Sequence, residues 1–143
     1  MKKVSVGTIA LLLCIIGNAT TQDRPLGVTL PYSAVQFKSD EDVKCLKYAV
    51  ESGDPEKGPS THILTFPQGC AFPWHYHTAE EQMLVIEGKV SVEMNSSAGA
   101  VLGPGGFAMM PSKESHQFSC KSSRGCRAFV HFDRAYDIQW GKK

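Results

Sequence analysis

The chain has 143 residues and a formal net charge of +1, with 15 basic against 14 acidic side chains, so neither nucleic acid nor an anionic membrane is recommended as a partner. That length allows one domain and little more. Five cysteines occur without a C-x-x-C pair, which argues against a thioredoxin-like redox site or a zinc finger, and no glycine-rich phosphate loop speaks for a nucleotide cofactor.

The first 19 residues, MKKVSVGTIALLLCIIGNA, carry Lys2 and Lys3, an apolar run from Val4 to Ile16, and the small-residue ending Gly17-Asn18-Ala19. This is the pattern of a secretory signal peptide. The apolar run falls short of the roughly 20 residues of a membrane span, which disfavours the competing reading as an uncleaved anchor. Cleavage after Ala19 leaves 124 residues with 13 basic and 14 acidic side chains, a formal charge of −1. The expected product is secreted or periplasmic and has no membrane attachment after cleavage. Its four cysteines, Cys45, Cys70, Cys120 and Cys126, sit in a compartment where disulfides form. Four cysteines allow three pairings. CKSSRGC, with a tight turn between strand-like runs, makes Cys120 with Cys126 the local candidate, and buried free thiols are the alternative.

Residues 20–44 begin as a polar, proline-containing leader and run into the first strands. Short β-branched or apolar runs then alternate with turn signals. VKCLKYAV precedes the loop SGDPEKGPS, and THILTF precedes PQG. QMLVIEGKVSVEM divides at Gly88 into two strands, FAMMP follows LGPGG, HQFSC and CRAFVHF flank the cysteine turn, and YDIQW closes the chain. No window carries a sustained 3.6-residue period, so the expectation is an all-β domain, a sandwich or barrel, over residues 45–135 with a C-terminal tail at 136–143.

The chemistry concentrates in HYHTAEEQMLVIEG, residues 75–88. On a helix His75 and His77 would point about 200° apart, whereas on a strand they share a face. Glu81, with Met83 and Val85 on its face, follows four residues after His77. Two imidazoles and a carboxylate inside an apolar shell are costly to bury unless a cation binds them. His116, at the start of HQFSC, supplies a third imidazole from another strand.

These residues resemble the cupin superfamily. Its first motif, G-x5-H-x-H-x3-E-x6-G, is matched at every spacing by Gly69, His75, His77, Glu81 and Gly88, which also selects Glu81 over Glu80. Its second, G-x5-P-x-G-x2-H-x3-N, is matched by Gly105, Pro111 and His116, with Lys113 in place of Gly and Cys120 in place of Asn. A left-handed backbone at Lys113 would cost about 1 kcal/mol. Cys120 shares a face with His116 and Phe118, so it looks into the barrel or pairs with Cys126. The resemblance implies a single-domain double-stranded β-helix, a jelly-roll cupin barrel similar to the small anti-sigma-factor-like and quercetin-dioxygenase-like cupins.

It further implies one divalent metal ion, Fe, Mn, Ni, Cu or Zn, held by His75, His77, Glu81 and His116, with two open positions on a six-coordinate ion. The functional expectation is an exported small-molecule oxygenase of the dioxygenase type, an oxidoreductase in which Glu81 also serves as a catalytic base. The alternatives are a binding or sensor cupin without turnover, and a metal-dependent isomerase or decarboxylase. Glu80 reads as a solvated neighbour, and His62 and His131 as ordinary strand residues outside the site. Phe107, Met109, Phe118, Met83 and Val85 read as barrel filling. A homodimer through a face such as Leu84 and Ile86 is a further expectation, although those side chains could equally pack inside.

Overall fold

Side chains along a strand alternate between its two faces, and β10 (Cys126–Phe132) follows that rule at every step: Cys126, Ala128, Val130 and Phe132 are buried while the residues between them are half-buried. The computed structural model describes residues 27–141, so the signal-peptide reading of residues 1–19 lies outside the described residues. A 3-10 turn at Tyr32–Ala34 leads into β1 (Lys38–Ser39), β2 (Lys47–Gly53), β3 (Ser60–Phe66), β4 (Ala71–Tyr76), β5 (Glu81–Glu87), β6 (Val90–Met94), β7 (Ala100–Leu102), β8 (Phe107–Met110) and β9 (His116–Cys120). After β10 the short β11 (Gln139–Trp140) ends the described chain. No α-helix occurs among the described residues, and none of their helices is long and apolar enough to cross a membrane.

The strands form two antiparallel sheets, one ordered β1-β2-β3-β10-β5-β8 and the other β11-β4-β9-β6-β7. The strand pattern's all-β expectation is met, and the two sheets form the jelly roll that the cupin resemblance implies. The first sheet contributes Met83, Val85, Ala128 and Val130 to the core, and the second contributes Phe72, Val90, Val92 and Phe118. Phe118 stacks on Phe72, ring centroids 5.0 Å apart, and meets Phe66 of the opposite sheet at 5.6 Å. Burying each large side chain of this kind stabilises the fold by about 1.5–3 kcal/mol.

Three expectations change. The strand expected from Val43 begins only at Lys47, because the Asp40 carboxylate accepts the N–H groups of Asp42 and Val43 at 3.0 and 2.7 Å and turns the chain. Phe107 and Met109 do not fill the barrel: they are 56% and 43% exposed. Pairing decides this, since β8 lies beside β5 with Ala108 opposite Met83 and Met110 opposite Glu81, and those partners face inward. Leu84 and Ile86 lie on the outer face, 41% and 37% exposed, which removes the option that they pack inside.

Both disulfides form, Cys120–Cys126 as the local candidate and Cys45–Cys70 from the remaining pair, so the free-thiol alternative is overturned. Cys120–Cys126 ties the end of β9 to the start of β10 and thereby one sheet to the other. Lys113 adopts the left-handed backbone that its motif position requires, with φ of 66°.

Two motif glycines with the same backbone handedness differ in their surroundings. At Gly69, φ +77°, an added Cβ meets nothing within 4 Å, whereas at Gly88, φ +80°, it would lie 2.5 Å from Gly125 O and 2.9 Å from Cys126 Sγ. Gly69→Ala should therefore cost about 1 kcal/mol of backbone strain, and Gly88→Ala roughly 3 kcal/mol or more. Chemical denaturation of the two variants checks this. Equal losses would mean that the chain around Gly125 yields.

Candidate metal centre

Three strands deliver the four expected residues to one point. His75 lies on β4 directly opposite His116, the first residue of β9, in the register of the two strands. Glu81 opens β5, and His77 sits between β4 and β5 where its carbonyl accepts the N–H of Lys113 at 2.7 Å. All four are at least 97% buried.

Backbone carbonyls orient the rings. His75 Nδ1 donates to Pro73 O at 2.6 Å, His116 Nδ1 to Glu114 O at 2.8 Å, and His77 Nδ1 to Asp137 O. A carbonyl can only accept, so each Nδ1 carries a proton and each ring turns its Nε2 inward. Glu81 Oε2 lies 3.0 Å from His116 Nε2 and 3.2 Å from His77 Nε2, and the ligand atoms of all four residues fall within 4.8 Å of one another.

Inward-facing imidazole nitrogens and a carboxylate in a dry interior would be stabilised by a cation. Burial opposes charge on both Glu81 and His116. Their mutual hydrogen bond, joined at Glu81 by His77, wins, holding the carboxyl below its usual range and lifting the imidazole above its own. His75 is pushed the other way, to about 3, by burial and then by the neighbouring charge of His116. One proton shared between His116 and Glu81 therefore leaves His75 Nε2 with no hydrogen-bond partner among the described residues. A single divalent metal satisfies all four donors at once. Three imidazoles oriented by second hydrogen bonds, with one carboxylate, are a fitting ligand set for such an ion and do not select among Fe, Mn, Ni, Cu and Zn.

His75, His77 and Glu81 form the floor of a cavity of about 230 Å³. Tyr48, Leu64, Phe72, Phe132, Tyr136 and Ile138 wall it, and Asp40, Glu41 and Asp42 line it on the side of the β1–β2 loop. His62, expected to stay outside the site, belongs to this cavity instead: it is buried on β3, hydrogen-bonded through Nε2 to the Ser60 hydroxyl at 2.8 Å, with its ring against Phe132. Its inward direction follows from the pairing of β3 with β10, where it stands opposite Val130, a long-range register that composition does not reveal. His131 does not line the cavity, and Glu80 is occupied with the side-chain amide of Gln82 rather than with the cluster.

The C-terminal segment closes the floor. Asp137 accepts from His77 through its carbonyl and from the Thr78 N–H and hydroxyl through its carboxylate, at 2.8 and 2.9 Å. Tyr136 packs on His77, ring centroids 5.2 Å apart. Neither residue stands out in the sequence, because no motif spacing links positions 136–137 to position 77.

Elemental analysis of the purified protein should find about one metal per chain, with most of it lost in His75→Ala and in His116→Ala but retained in Glu80→Gln. Retention in both histidine variants would mean that the ion sits elsewhere.

Residues 62–132 match the family model for the cupin domain. Among curated protein sequences none matches the chain. The barrel superposes on solved structures of varied activity. The polyketide cyclase RemF from Streptomyces resistomycificus aligns with a TM-score of 0.70 and 17% identity, over 82% of this chain and 87% of that one. A cupin-superfamily sugar phosphate isomerase from Silicibacter pomeroyi gives 0.68 and 13%, over 81% and 83%. The DMSP lyase DddQ from Ruegeria pomeroyi gives 0.58 and 21% over 73% of this chain, which spans only 54% of the lyase. At these identities the likeness is one of fold. The family match runs from within β3 to the end of β10, so residues 62–132 of this chain are a small cupin-type domain, and the barrel shared with these structures agrees with it.

Proposed function

We propose that this cupin is a metal-dependent enzyme acting on a small oxygen-bearing molecule, in the first place as an oxygenase of the dioxygenase type. One observation carries the reading: three imidazole Nε2 atoms and the Glu81 carboxylate converge at the floor of a cavity large enough for a small substrate. His75, His77, Glu81 and His116 would hold the ion, which when bound supplies Lewis acidity to a substrate oxygen and, where redox-active, electrons for O2.

The chain's own residues do the rest. Pro73, Glu114 and Asp137 carbonyls keep the three rings from turning, so the donor set is organised before substrate arrives. Glu81, ionised and buried, is the base nearest to a molecule seated on the floor and can take a proton from its hydroxyl. Tyr136 keeps its proton, since burial and then the Glu81 charge push its hydroxyl above the usual range, and it can donate a hydrogen bond into the cavity. Phe72, Phe132 and Ile138 exclude water from the reacting end.

A second reading, a lyase or isomerase that does not use O2, is favoured by His62. Burial lowers the pKa of this imidazole, so it is neutral near pH 7 and able to accept a proton on the cavity wall facing the floor. The cyclase, lyase and isomerase named above belong to the same barrel and support giving this reading weight.

Metal-loaded protein screened against enolic and phenolic compounds, with an oxygen electrode and an anaerobic control, separates the two. Substrate-dependent O2 uptake supports the oxygenase. Anaerobic turnover supports the second reading, and binding without turnover would move the protein to the binding or sensor class. In either catalytic case Glu81→Gln should keep its metal and lose about 10²-fold or more in turnover. Full activity in that variant removes the base role.

The proposal includes export and a homodimer. Two disulfides suit an oxidising compartment, and Leu84, Ile86 and Phe107 give the sheet an apolar outer face beside its β8 edge. Intact mass should place the N-terminus of exported protein at Thr20, and sedimentation should return twice the chain mass. A retained leader or a monomer would remove the corresponding part.

A further inference from the structure

The cavity has two ends of opposite character. At the floor, a divalent ion with Glu81 carries a net positive charge and prefers an anionic or strongly dipolar oxygen. Toward the β1–β2 loop the lining residues are Asp40, Glu41 and Asp42, and among the described residues no lysine or arginine lines the cavity.

These carboxylates are presented by a fixed segment. Asp40 Oδ1 accepts the N–H groups of Asp42 and Val43, while the Asp40 N–H donates to Leu46 O at 3.0 Å. Val43 and Leu46 are buried beneath the loop, and Cys45 is joined by a disulfide to Cys70 at the start of the strand that carries Phe72 and His75. Glu41 and Asp42 make no ion pair among the described residues, so their charge is not spent on a neighbour.

Aromatic side chains line the same cavity. Tyr48, Phe132 and Tyr136 wall the cavity, and ring faces attract cations. Independently of the acidic loop, His75 points to a ligand at the other end, being 1% exposed with an Nε2 that has no hydrogen-bond partner among the described residues. The volume of about 230 Å³ lies below the range of roughly 300–1,000 Å³ usual for drug-sized ligands, so the occupant is small.

We propose that the cavity selects a small molecule that is positively charged at one end, presenting an oxygen donor to the metal floor and an amine or other cationic group to Asp40, Glu41 and Asp42. This deepens the metal-dependent reading and rests on it. Small anions of the same shape are rejected by the acidic end, and neutral ones fall between.

Three catechols of nearly equal size provide the probe, because all can chelate through the same oxygen pair: dopamine with an ammonium tail, 4-ethylcatechol with a neutral one, and 3,4-dihydroxyphenylacetate with a carboxylate. Their binding to zinc-loaded full chain is measured by calorimetry at low ionic strength. Dopamine should bind tightest and the carboxylate weakest, with about tenfold or more between them, since the rim charges are partly solvent-screened. The spread should shrink to about twofold in Glu41→Gln/Asp42→Asn, which leaves the Asp40 turn in place, and should narrow in about 0.5 M salt. Unchanged affinity for 4-ethylcatechol in that variant shows that the fold and floor are intact.

Equal affinities for all three compounds would overturn the charge selection while leaving the metal floor standing. A spread that persists in the double variant would overturn its assignment to this loop. Failure of 4-ethylcatechol to bind zinc-loaded protein would overturn the floor as a chelate site and the proposal with it.

Discussion

Everything at the centre of this barrel depends on three hydrogen bonds that never touch a ligand. The carbonyls of Pro73, Glu114 and Asp137 each accept a hydrogen bond from the Nδ1 of one histidine, and in doing so turn three Nε2 atoms into the same small volume as the Glu81 carboxylate. Left to themselves these groups repel or waste their hydrogen-bonding capacity in a medium where that is expensive. The fold tolerates the arrangement because it is anchored from outside by backbone groups that cannot reorient, and a divalent ion held by the four residues would relieve the cost within. The preference for a cation is thus built into the framework.

The framework explains how residues far apart in the chain hold one another so closely. Pairing of β4 with β9 sets His75 opposite His116, and the tight passage from β4 to β5 brings His77 beside Glu81. Lys113 accepts a strained backbone at this place, and its N–H meets the carbonyl of His77, so the departure from the glycine of the motif leaves the turn and its support of the ligand intact. Cys120, the other departure, is taken up by a disulfide to Cys126 and has no part in the centre. The second disulfide works on the opposite end, fixing the loop that bears Asp40, Glu41 and Asp42 against the strand that bears His75. One domain therefore carries a metal-seeking floor and an acidic wall whose relative placement is covalently constrained. The shared barrel of a cyclase, an isomerase and a lyase agrees with a scaffold whose chemistry is set by such local choices.

Much of the fold and the four-residue cluster was legible beforehand because both depend on short-range periodicity. His75 and His77 two apart, Glu81 four further on, and Met83 and Val85 on its face are statements about alternation within one or two strands, and alternation survives any tertiary arrangement. The same rule applied to FAMM was misleading. Phe107 and Met109 look like filling by their apolarity, but a strand's parity has no absolute sign until a partner sets it, and the pairing with β5 turned Ala108 and Met110 inward.

By itself the sequence determined the all-β class, gave through its resemblance to the cupin motifs the four candidate ligands, and offered Cys120 with Cys126 as the local candidate pair, since each rests on residue type at fixed spacing. Only the tertiary structure decided that His62 belongs to the cavity, that Tyr136 and Asp137 close its floor, that Cys45 reaches Cys70, and that three carboxylates share a cavity with the imidazoles. These are contacts between segments tens of residues apart, produced by the register of strands that are distant in sequence. No local pattern encodes such a register, because it is settled by which faces bury the most apolar surface when both sheets close together.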